Sequence, residues 1–193
     1  MGRLIPVVFI AFISLFAVLC RFAVAASGPP GLQTVSKVDI PRYMGLWYEI
    51  ARLEHRFQKN CIGSSAVYTL RADGEIDVVN RCIDEKDGSL REARGRAWSV
   101  DPVDNSRLKV TFFWPFRGDY WIVELGGAYE YSVVGSPDRK YLWILCRDPD
   151  LPEPIISGIV ERLRSKGFPV DNLVRRPLKK AVSAVNAITT QRS

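Results

Sequence analysis

The sequence predicts an all-β protein: an eight-stranded antiparallel up-and-down β-barrel with a C-terminal α-helix packed outside it. Three observations lead to this fold class. The 193 residues are 47% hydrophobic and 25% charged, which is typical of one globular domain and not of a disordered chain or a multi-pass membrane protein. Short stretches of alternating apolar and polar residues, separated by turn signals, fill most of the chain. One helical apolar stripe follows them near the C-terminal end.

The first residues have the composition of an export signal. Arg3 precedes an almost wholly apolar run from Leu4 to Leu19, and Ala23-Val24-Ala25 then has the small-x-small pattern of a signal peptidase site. We therefore expect residues 1–25 to be a signal peptide and the mature chain to be exported. Two alternatives remain open: an uncleaved membrane anchor, and a lipoprotein signal in which Cys20 carries the lipid.

The strands are predicted to begin after a leader and a helical turn. Residues 26–36 show no apolar period and are expected to be a flexible leader, and the barrel with its helix should span 37–176, beginning with a helical turn at Val38 to Met44. The eight predicted strands are Gly45–Leu53, Ser65–Arg71, Glu75–Cys82, Arg91–Val100, Arg107–Trp114, Tyr120–Leu125, Tyr129–Val134 and Lys140–Cys146. Short links such as Asp73-Gly74 indicate consecutive hairpins, which can close into a barrel; a two-sheet sandwich is the competing arrangement.

The C-terminal part contains the helix and an excess of positive charge. An amphipathic helix is predicted from Asp150 to Lys166, Val170 to Val174 can add a ninth short strand, and residues 177–193 form a basic C-terminal tail. From Ile155 onward the sequence has eight basic residues against two acidic ones. This local charge favours a membrane surface as an anionic partner over a nucleic-acid groove, so no nucleic-acid partner is expected. A solvated tail is the alternative.

The alternation within the strands predicts a barrel with an apolar interior. The fourth strand has a face of small residues, Ala93, Gly95, Ala97 and Ser99, while later strands supply faces of large apolar ones. Space enclosed between such faces is typical of a small-molecule site. The side chains expected to line a ligand cavity are Phe112, Trp121, Val123, Tyr131 and Trp143.

Removal of the signal peptide leaves three cysteines. An oxidising compartment favours one disulfide bond and one free thiol among them. Cys61 and Cys82 flank a hairpin and are the expected pair, although simple pairing places Cys82 opposite roughly Ser64, so that a bend or bulge is needed. Cys146 lies in an apolar run and is expected to be a buried free thiol.

The sequence shows no recognisable catalytic constellation, so no catalytic residue, metal ligand or cofactor is predicted. The single histidine, His55, follows Glu54 in a charged loop and is expected to be a surface residue, with a role as base beside Glu54 as the alternative. Glu49 shares strand parity with Trp47 and should point inward as a structural hydrogen-bonding group, with a role as ligand anchor as the alternative. Trp114-Pro115-Phe116 is an apolar turn, either packed beneath the helix or exposed as a hydrophobic lip that touches a membrane.

Two motifs carry a resemblance to a known family. Gly45-Leu46-Trp47 opens the first predicted strand and lies within the segment from Pro41 to Arg52. The segment from Tyr141 to Pro149 covers most of the last predicted strand and includes Arg147, which follows that strand directly. These segments resemble those of the lipocalins, in particular the bacterial outer-membrane members and apolipoprotein D. The similarity follows the family's order over about residues 37–176.

The resemblance implies both structural and functional roles. Gly45, Trp47 and Arg147 should close one end of the barrel, with the Arg147 guanidinium over the Trp47 indole. The function implied is binding, storage or transport of small hydrophobic ligands, long-chain fatty acids or lysophospholipids, without enzymatic activity or cofactor, in the periplasm or at the outer membrane of a bacterial envelope. The chain departs from many lipocalins at Leu125-Gly126-Gly127, where those have Thr-Asp-Tyr, and this affects the local turn. Two alternatives to ligand binding remain open: an isomerase or de-epoxidase on the same barrel, and a structural envelope protein with a filled core. The oligomeric state, monomer or dimer, also remains open.

Overall fold

A computed structural model describes residues 31–175 of the chain. The predicted signal peptide over 1–25, including Cys20, and the basic tail over 177–193 lie outside the described residues. The predicted barrel, helix and disulfide lie within them.

The described part of the chain contains nine strands and two α-helices, with short 3-10 helices at Arg56–Gln58 and Val170–Asn172. The strands and α-helices occur in the order α1 (Ile40–Tyr43), β1 (Gly45–Leu53), β2 (Cys61–Leu70), β3 (Ile76–Asp84), β4 (Leu90–Ser99), β5 (Arg107–Phe113), β6 (Phe116–Leu125), β7 (Tyr131–Gly135), β8 (Leu142–Cys146), α2 (Glu153–Ser165) and β9 (Leu173–Arg175). Strands β2 to β8 pair antiparallel in chain order, and β1 pairs with both β8 and β2, which closes the barrel. The predicted eight-stranded barrel is confirmed, and the two-sheet sandwich is excluded.

Strand β1 has three antiparallel partners. Its first half pairs with β2, its later part with β8, and its last three residues also pair with β9. A β-bulge after Glu49 shifts the register, so that Glu49 lies opposite Leu145 and Arg52 lies opposite Trp143. Because residues paired across strands point to the same face of a sheet, both Glu49 and Arg52 point into the barrel.

Two apolar clusters stabilise the fold, one inside the barrel and one between the barrel and α2. The buried residues of the inner cluster are Val38, Tyr43, Trp47, Ala66, Tyr68, Ile76, Val78, Ala97, Leu108, Ile122, Val134 and Leu145. The outer cluster joins α2 to the outer faces of β1, β6, β7 and β8, with Val133 and Ile144 among its fully buried members. These four strands are therefore buried on both faces.

Helix α2 is amphipathic and covers one side of the barrel. Ile156, Ile159 and Leu163, at helical spacing, form its buried stripe. The helix ends at Ser165, shortly before Gly167, whose φ of 81° is readily adopted only by glycine. No helix within residues 31–175 is both long enough and apolar enough to cross a membrane.

The described part of the predicted flexible leader is packed against the barrel, which corrects that expectation. Leu32 is buried in the outer cluster, and the Val35 amide donates a hydrogen bond to the carbonyl oxygen of Ile122 at 3.0 Å. The hydroxyls of Thr34 and Ser106 are hydrogen-bonded at 2.9 Å. The segment has no apolar period because it binds along the barrel through isolated contacts, not as a helix or strand.

Candidate functional site

One end of the barrel is closed by Trp47 and Arg147. Trp47 is fully buried, and its indole nitrogen donates a hydrogen bond to the carbonyl oxygen of Tyr43 at 2.8 Å. The guanidinium carbon of Arg147 lies 3.8 Å from the centre of the Trp47 ring, and a Cβ on Gly45 would lie 3.4 Å from Nη1 of Arg147. Arg147 also donates hydrogen bonds to the carbonyl oxygens of Arg42, Tyr43, Met44 and Leu46. These contacts bind α1, β1 and the end of β8 into a plug.

Next to this plug, hydrogen-bonded tyrosines fill the closed half of the barrel. The hydroxyl of Tyr43 is 2.8 Å from that of Tyr120 and 2.9 Å from that of Ser132, and the Tyr120 hydroxyl donates to Tyr68 at 2.9 Å. Burial raises the pKa of Tyr43 to about 12 and also raises the pKa of Tyr68 and Tyr120, so all three stay protonated. The void beside them measures about 10 Å³, roughly the space of one water. A ligand inside the barrel must therefore lie nearer the mouth.

Near the mouth, the inner wall formed by β1 and β8 is polar. Arg52 is 0% exposed and donates to Glu49 at 2.5 Å and to the backbone carbonyl oxygen of Gln58 at 3.1 Å. The Gln58 amide nitrogen donates to Glu49 at 2.7 Å, and its side-chain oxygen accepts from the indole nitrogen of Trp143 at 2.8 Å. The loop between β1 and β2 is thereby held to the interior, and Glu49 has the hydrogen-bonding role expected of it.

His55 lies at the mouth within a cluster of aromatic rings. Its ring centre is 5.2 Å from that of Trp143, 5.6 Å from that of Tyr141 and 5.9 Å from that of Phe57. Both ring nitrogens are buried, and among the described residues neither has a partner in full hydrogen-bonding geometry, with Gln58 as the neighbouring polar side chain. Burial lowers the pKa of His55 by more than the Gln58 side chain raises it, and the nearby charge of Arg52 lowers it too, so the imidazole is neutral at pH 7. The expectation of a surface histidine is corrected by this half-buried position.

The opposite inner wall, formed by β3 to β6, consists mostly of small and apolar residues. Cross-strand pairing places on this face Val78, Asn80, Ala93, Gly95, Val110 and Gly118. Ala93 and Gly118 are exposed although they point inward, so the interior is open to solvent along this wall. A Cβ on Gly95 would lie 2.6 Å from the Thr111 carbonyl oxygen and 2.7 Å from Cδ1 of Phe112, so only glycine lets the Phe112 ring lie against β4.

The hairpin between β5 and β6 presents aromatic side chains at the mouth. Phe113, Trp114 and Phe116 are 80%, 72% and 74% exposed. The guanidinium carbon of Arg117 lies 5.1 Å from the centre of the Trp114 ring. A surface groove of about 320 Å³ beside the hairpin is lined in part by Arg94, Phe113 and Trp114. Of the two alternatives for Trp114-Pro115-Phe116, the structure has the exposed lip and not a segment packed beneath the helix.

The five residues predicted to line the ligand cavity divide between the two faces of the barrel. Trp143 points inward, and Phe112, 40% exposed, lies at the mouth against β4. Trp121, Val123 and Tyr131 instead belong to the cluster on the outer face of the barrel, which corrects their expected inward orientation. The reason is that strands beneath α2 are apolar on both faces, so hydrophobicity does not indicate which side is inside. A bulge between Ile122 and Glu124 also breaks the alternation.

The cysteine predictions agree with the structure. Cys61 and Cys82 form a disulfide, with Cα atoms 5.4 Å apart. The register shift between Ile62 and Ser65 is the bulge that the pairing needed. Cys146 is a buried free thiol on the outer face of β8.

Sequence reasoning missed Arg52 and Gln58, which occupy one wall of the interior. Strict alternation assigns Arg52 to the outside because it does not include the bulge after Glu49. The available signal was a lone arginine between Ala51 and Leu53, with a carboxylate three residues earlier. Gln58 lies in a loop, where side-chain direction cannot be predicted from strand periodicity.

Comparison with known proteins gives consistent results. A family model described as "Lipocalin-like domain" matches residues 38–178. The chain is 34% identical over 172 residues to the outer membrane lipoprotein Blc of Escherichia coli (strain K12), covering 89% of this chain and 96% of that protein. It is 33% identical over 146 residues to apolipoprotein D of Mus musculus, covering 70% and 74%. The fold is similar to that of insecticyanin from the tobacco hornworm Manduca sexta L., with a TM-score of 0.61 at 17% identity over 76% of this chain and 84% of that one.

Proposed function

The chain belongs to the lipocalin family, and we propose that the mouth half of its barrel binds long-chain acyl ligands, fatty acids or lysophospholipids, for storage or transport in the cell envelope. One observation carries the proposal. The closed half of the interior is filled by side chains, whereas the wall of β3 to β6 is mostly small, apolar and open to solvent. A small, apolar and solvent-accessible inner wall has the composition expected of a site for one elongated apolar molecule, which supports the proposal.

The energetics are compatible with useful affinity. Burying an acyl chain contributes about 0.8 kcal/mol per methylene, so a dozen methylenes supply roughly 10 kcal/mol. Ordering the ligand and the protein removes several kcal/mol of this, and micromolar binding needs about 8 kcal/mol. An acyl chain with a few polar contacts at its head therefore suffices, and no reaction is proposed.

The location proposed is the bacterial envelope. Relatives named outer membrane lipoproteins at 34% and 36% identity support it. We propose that the chain is exported and is either cleaved after Ala25 and released into the periplasm or acylated at Cys20 and held at the outer membrane. Intact-mass spectrometry of the mature protein distinguishes the two, because only a chain beginning at Cys20 carries the mass of acyl groups.

Ligand binding is tested by placing a large side chain inside the mouth half of the barrel. Ala93→Trp places a large side chain on the open inner wall, and Arg94→Trp places the same side chain on the outer face of the same strand. We expect Ala93→Trp to weaken binding of oleate or a lysophospholipid by at least about tenfold, with little effect of Arg94→Trp. Intrinsic tryptophan fluorescence and native mass spectrometry of the mature chain measure both. If the unaltered protein neither retains nor binds either lipid, the proposal is wrong, and a structural protein with a filled core is favoured.

We also propose that the lip of Phe113, Trp114 and Phe116 touches a membrane surface. Three exposed aromatic rings beside Arg117 combine apolar and cationic groups, the composition that binds the interface of a bilayer. Replacing all three aromatic residues by serine should abolish sedimentation of the mature, unacylated chain with vesicles containing anionic phospholipid. Ligand binding in solution should be retained, and unchanged sedimentation would exclude the lip as the contact.

A further inference from the structure

Three buried nitrogen atoms near the mouth have no partner in full hydrogen-bonding geometry in the part of the chain that the structure describes, although the Gln58 side chain is a polar neighbour of the His55 ring. They are Nε of Arg52 and both ring nitrogens of His55. Arg52 is 0% exposed and lies on the inner face opposite Trp143, and the His55 ring is 5.2 Å from the same Trp143 ring. Buried polar atoms almost always have partners, so partnerless nitrogens grouped around one side chain indicate a place where a bound molecule's polar atoms fit.

The charges around these nitrogens are already balanced. Arg52 forms ion pairs with Glu49 at 2.5 Å and with Glu54 at 3.6 Å. His55 is neutral because burial lowers its pKa. An ionised carboxylate placed here would lie near Glu49, with no uncompensated positive charge to offset the loss of its hydration. An uncharged hydrogen-bonding group meets no such repulsion.

We infer that Arg52 and His55 form a subsite for an uncharged hydrogen-bonding group of the acyl ligand, such as an ester carbonyl or a hydroxyl. This inference rests on the proposed function and narrows it, because a neutral acylglycerol head then fits better than a free carboxylate. Nε of Arg52 can only donate a hydrogen bond, whereas a neutral imidazole donates through one nitrogen and accepts through the other. An ester carbonyl beside a glycerol hydroxyl matches this set of donors and acceptor.

The position of the subsite sets the orientation of the ligand. Phe57 and Tyr141 lie in the same aromatic cluster as His55, at the mouth end of the polar wall. The head group therefore binds beneath these rings, and the acyl chain extends along the apolar wall of β3 to β6. Because the partnerless atoms are buried, the loop between β1 and β2 has to shift for the head group to bind.

The experiment compares two ligands that share one acyl chain. Mature protein is titrated with 1-oleoylglycerol and with oleate at pH 8, each below its aggregation concentration, and binding is followed by tryptophan fluorescence. His55→Phe keeps an aromatic ring in the cluster and removes both nitrogens. We expect the unaltered protein to bind 1-oleoylglycerol more tightly than oleate. His55→Phe should lower the affinity for 1-oleoylglycerol about five- to tenfold and change the affinity for oleate less than about twofold.

Two further variants separate recognition from packing. Tyr48→Phe removes a hydroxyl on the outer face of β1, away from the aromatic cluster, and should leave both affinities unchanged. His55→Gln restores a donor and an acceptor and should recover most of the preference. Equal affinity of the unaltered protein for the two ligands, or an equal loss of both in His55→Phe, would overturn the subsite while leaving acyl binding intact. Absence of binding for both ligands would instead overturn the proposed function.

Discussion

The two halves of the barrel interior differ in how completely their polar atoms are paired. At the closed end, Trp47 and Arg147 donate to backbone carbonyl oxygens, and the buried tyrosine hydroxyls bond one another. At the mouth, Arg52 and His55 keep partnerless nitrogens, and the aromatic rings of the β5–β6 hairpin are exposed. Satisfied polar groups stabilise a fold, whereas unsatisfied groups and exposed apolar surface are retained where something binds. The comparison assigns stability to the closed half and supports the binding role proposed for the mouth.

The largest effect is expected from removing the plug. Trp47→Ala deletes a fully buried indole and should lower the free energy of unfolding by about 3–5 kcal/mol, measured by urea denaturation of the mature, oxidised protein. Trp114→Ala removes the same side chain at the mouth and should change stability by less than about 0.5 kcal/mol. Similar losses in the two variants would contradict the division into halves.

A smaller loss is expected from Arg147→Met, which keeps much of the side-chain length but removes the charge. The variant loses the cation–π contact with Trp47 and the hydrogen bonds to four carbonyl oxygens. We expect destabilisation by about 2–3 kcal/mol with ligand affinity retained. Loss of ligand affinity in a folded Arg147→Met protein would show that the closed end contributes to binding.

Two tryptophan substitutions test whether the ligand binds at the inner or the outer face of the barrel. Trp143→Ala removes an indole that points into the mouth half and should weaken acyl-ligand binding about tenfold, roughly 1.4 kcal/mol. Trp121→Ala removes an indole from the cluster beneath α2 and should lower stability without changing affinity. Fluorescence titration with a dye-labelled fatty acid, together with thermal melting, resolves the two effects. The reverse pattern would mean that the ligand binds between the barrel and the helix.

The smallest effect is a pH dependence carried by His55. Burial holds its pKa below the ordinary value of 6.5, so below about pH 6.5 the unfolded chain takes up the proton before the folded protein does. Stability should therefore fall as the pH drops below 6.5 and stop falling, for this group, below the folded pKa. The difference in melting temperature between pH 7.5 and pH 5.5 should be smaller in His55→Phe than in the unaltered protein, and an equal difference would contradict a buried neutral imidazole.

The fold was largely predictable because its signals are local. The boundaries predicted for the first strand, Gly45–Leu53, are those of β1, and the Asp73-Gly74 turn joins β2 and β3 as expected. Other strands differ by a few residues at their ends, where pairing with a neighbour decides the boundary. Strand β6, for example, begins at Phe116 because Phe116 pairs with Phe113, four residues before the predicted start at Tyr120.

The site was less predictable because it depends on which face of each strand is inside. For β4 and β5 the predicted inner face was correct, since the small residues Gly95 and Ala97 alternate with arginines on the solvent side. Beneath α2, Val133 and Val134 are both fully buried, so alternation carries no information there. Two bulges, after Glu49 and after Ile122, then reverse parity partway along β1 and β6. Neither bulge has a glycine or proline to mark it.

The three partners of β1 also constrain the order in which the protein can assemble. Its pairing with β2 is local, but β8 and β9 lie almost the whole length of the barrel away in sequence. A growing chain can form the hairpins from β2 to β7 early, while the later half of β1 waits with unpaired backbone groups for strands not yet made. Closing so long a loop is slow, so barrel closure should limit the rate of folding. Until those last strands arrive, part of one edge of β1 has no partner, and an unpaired strand edge of this kind can pair with a strand of another chain.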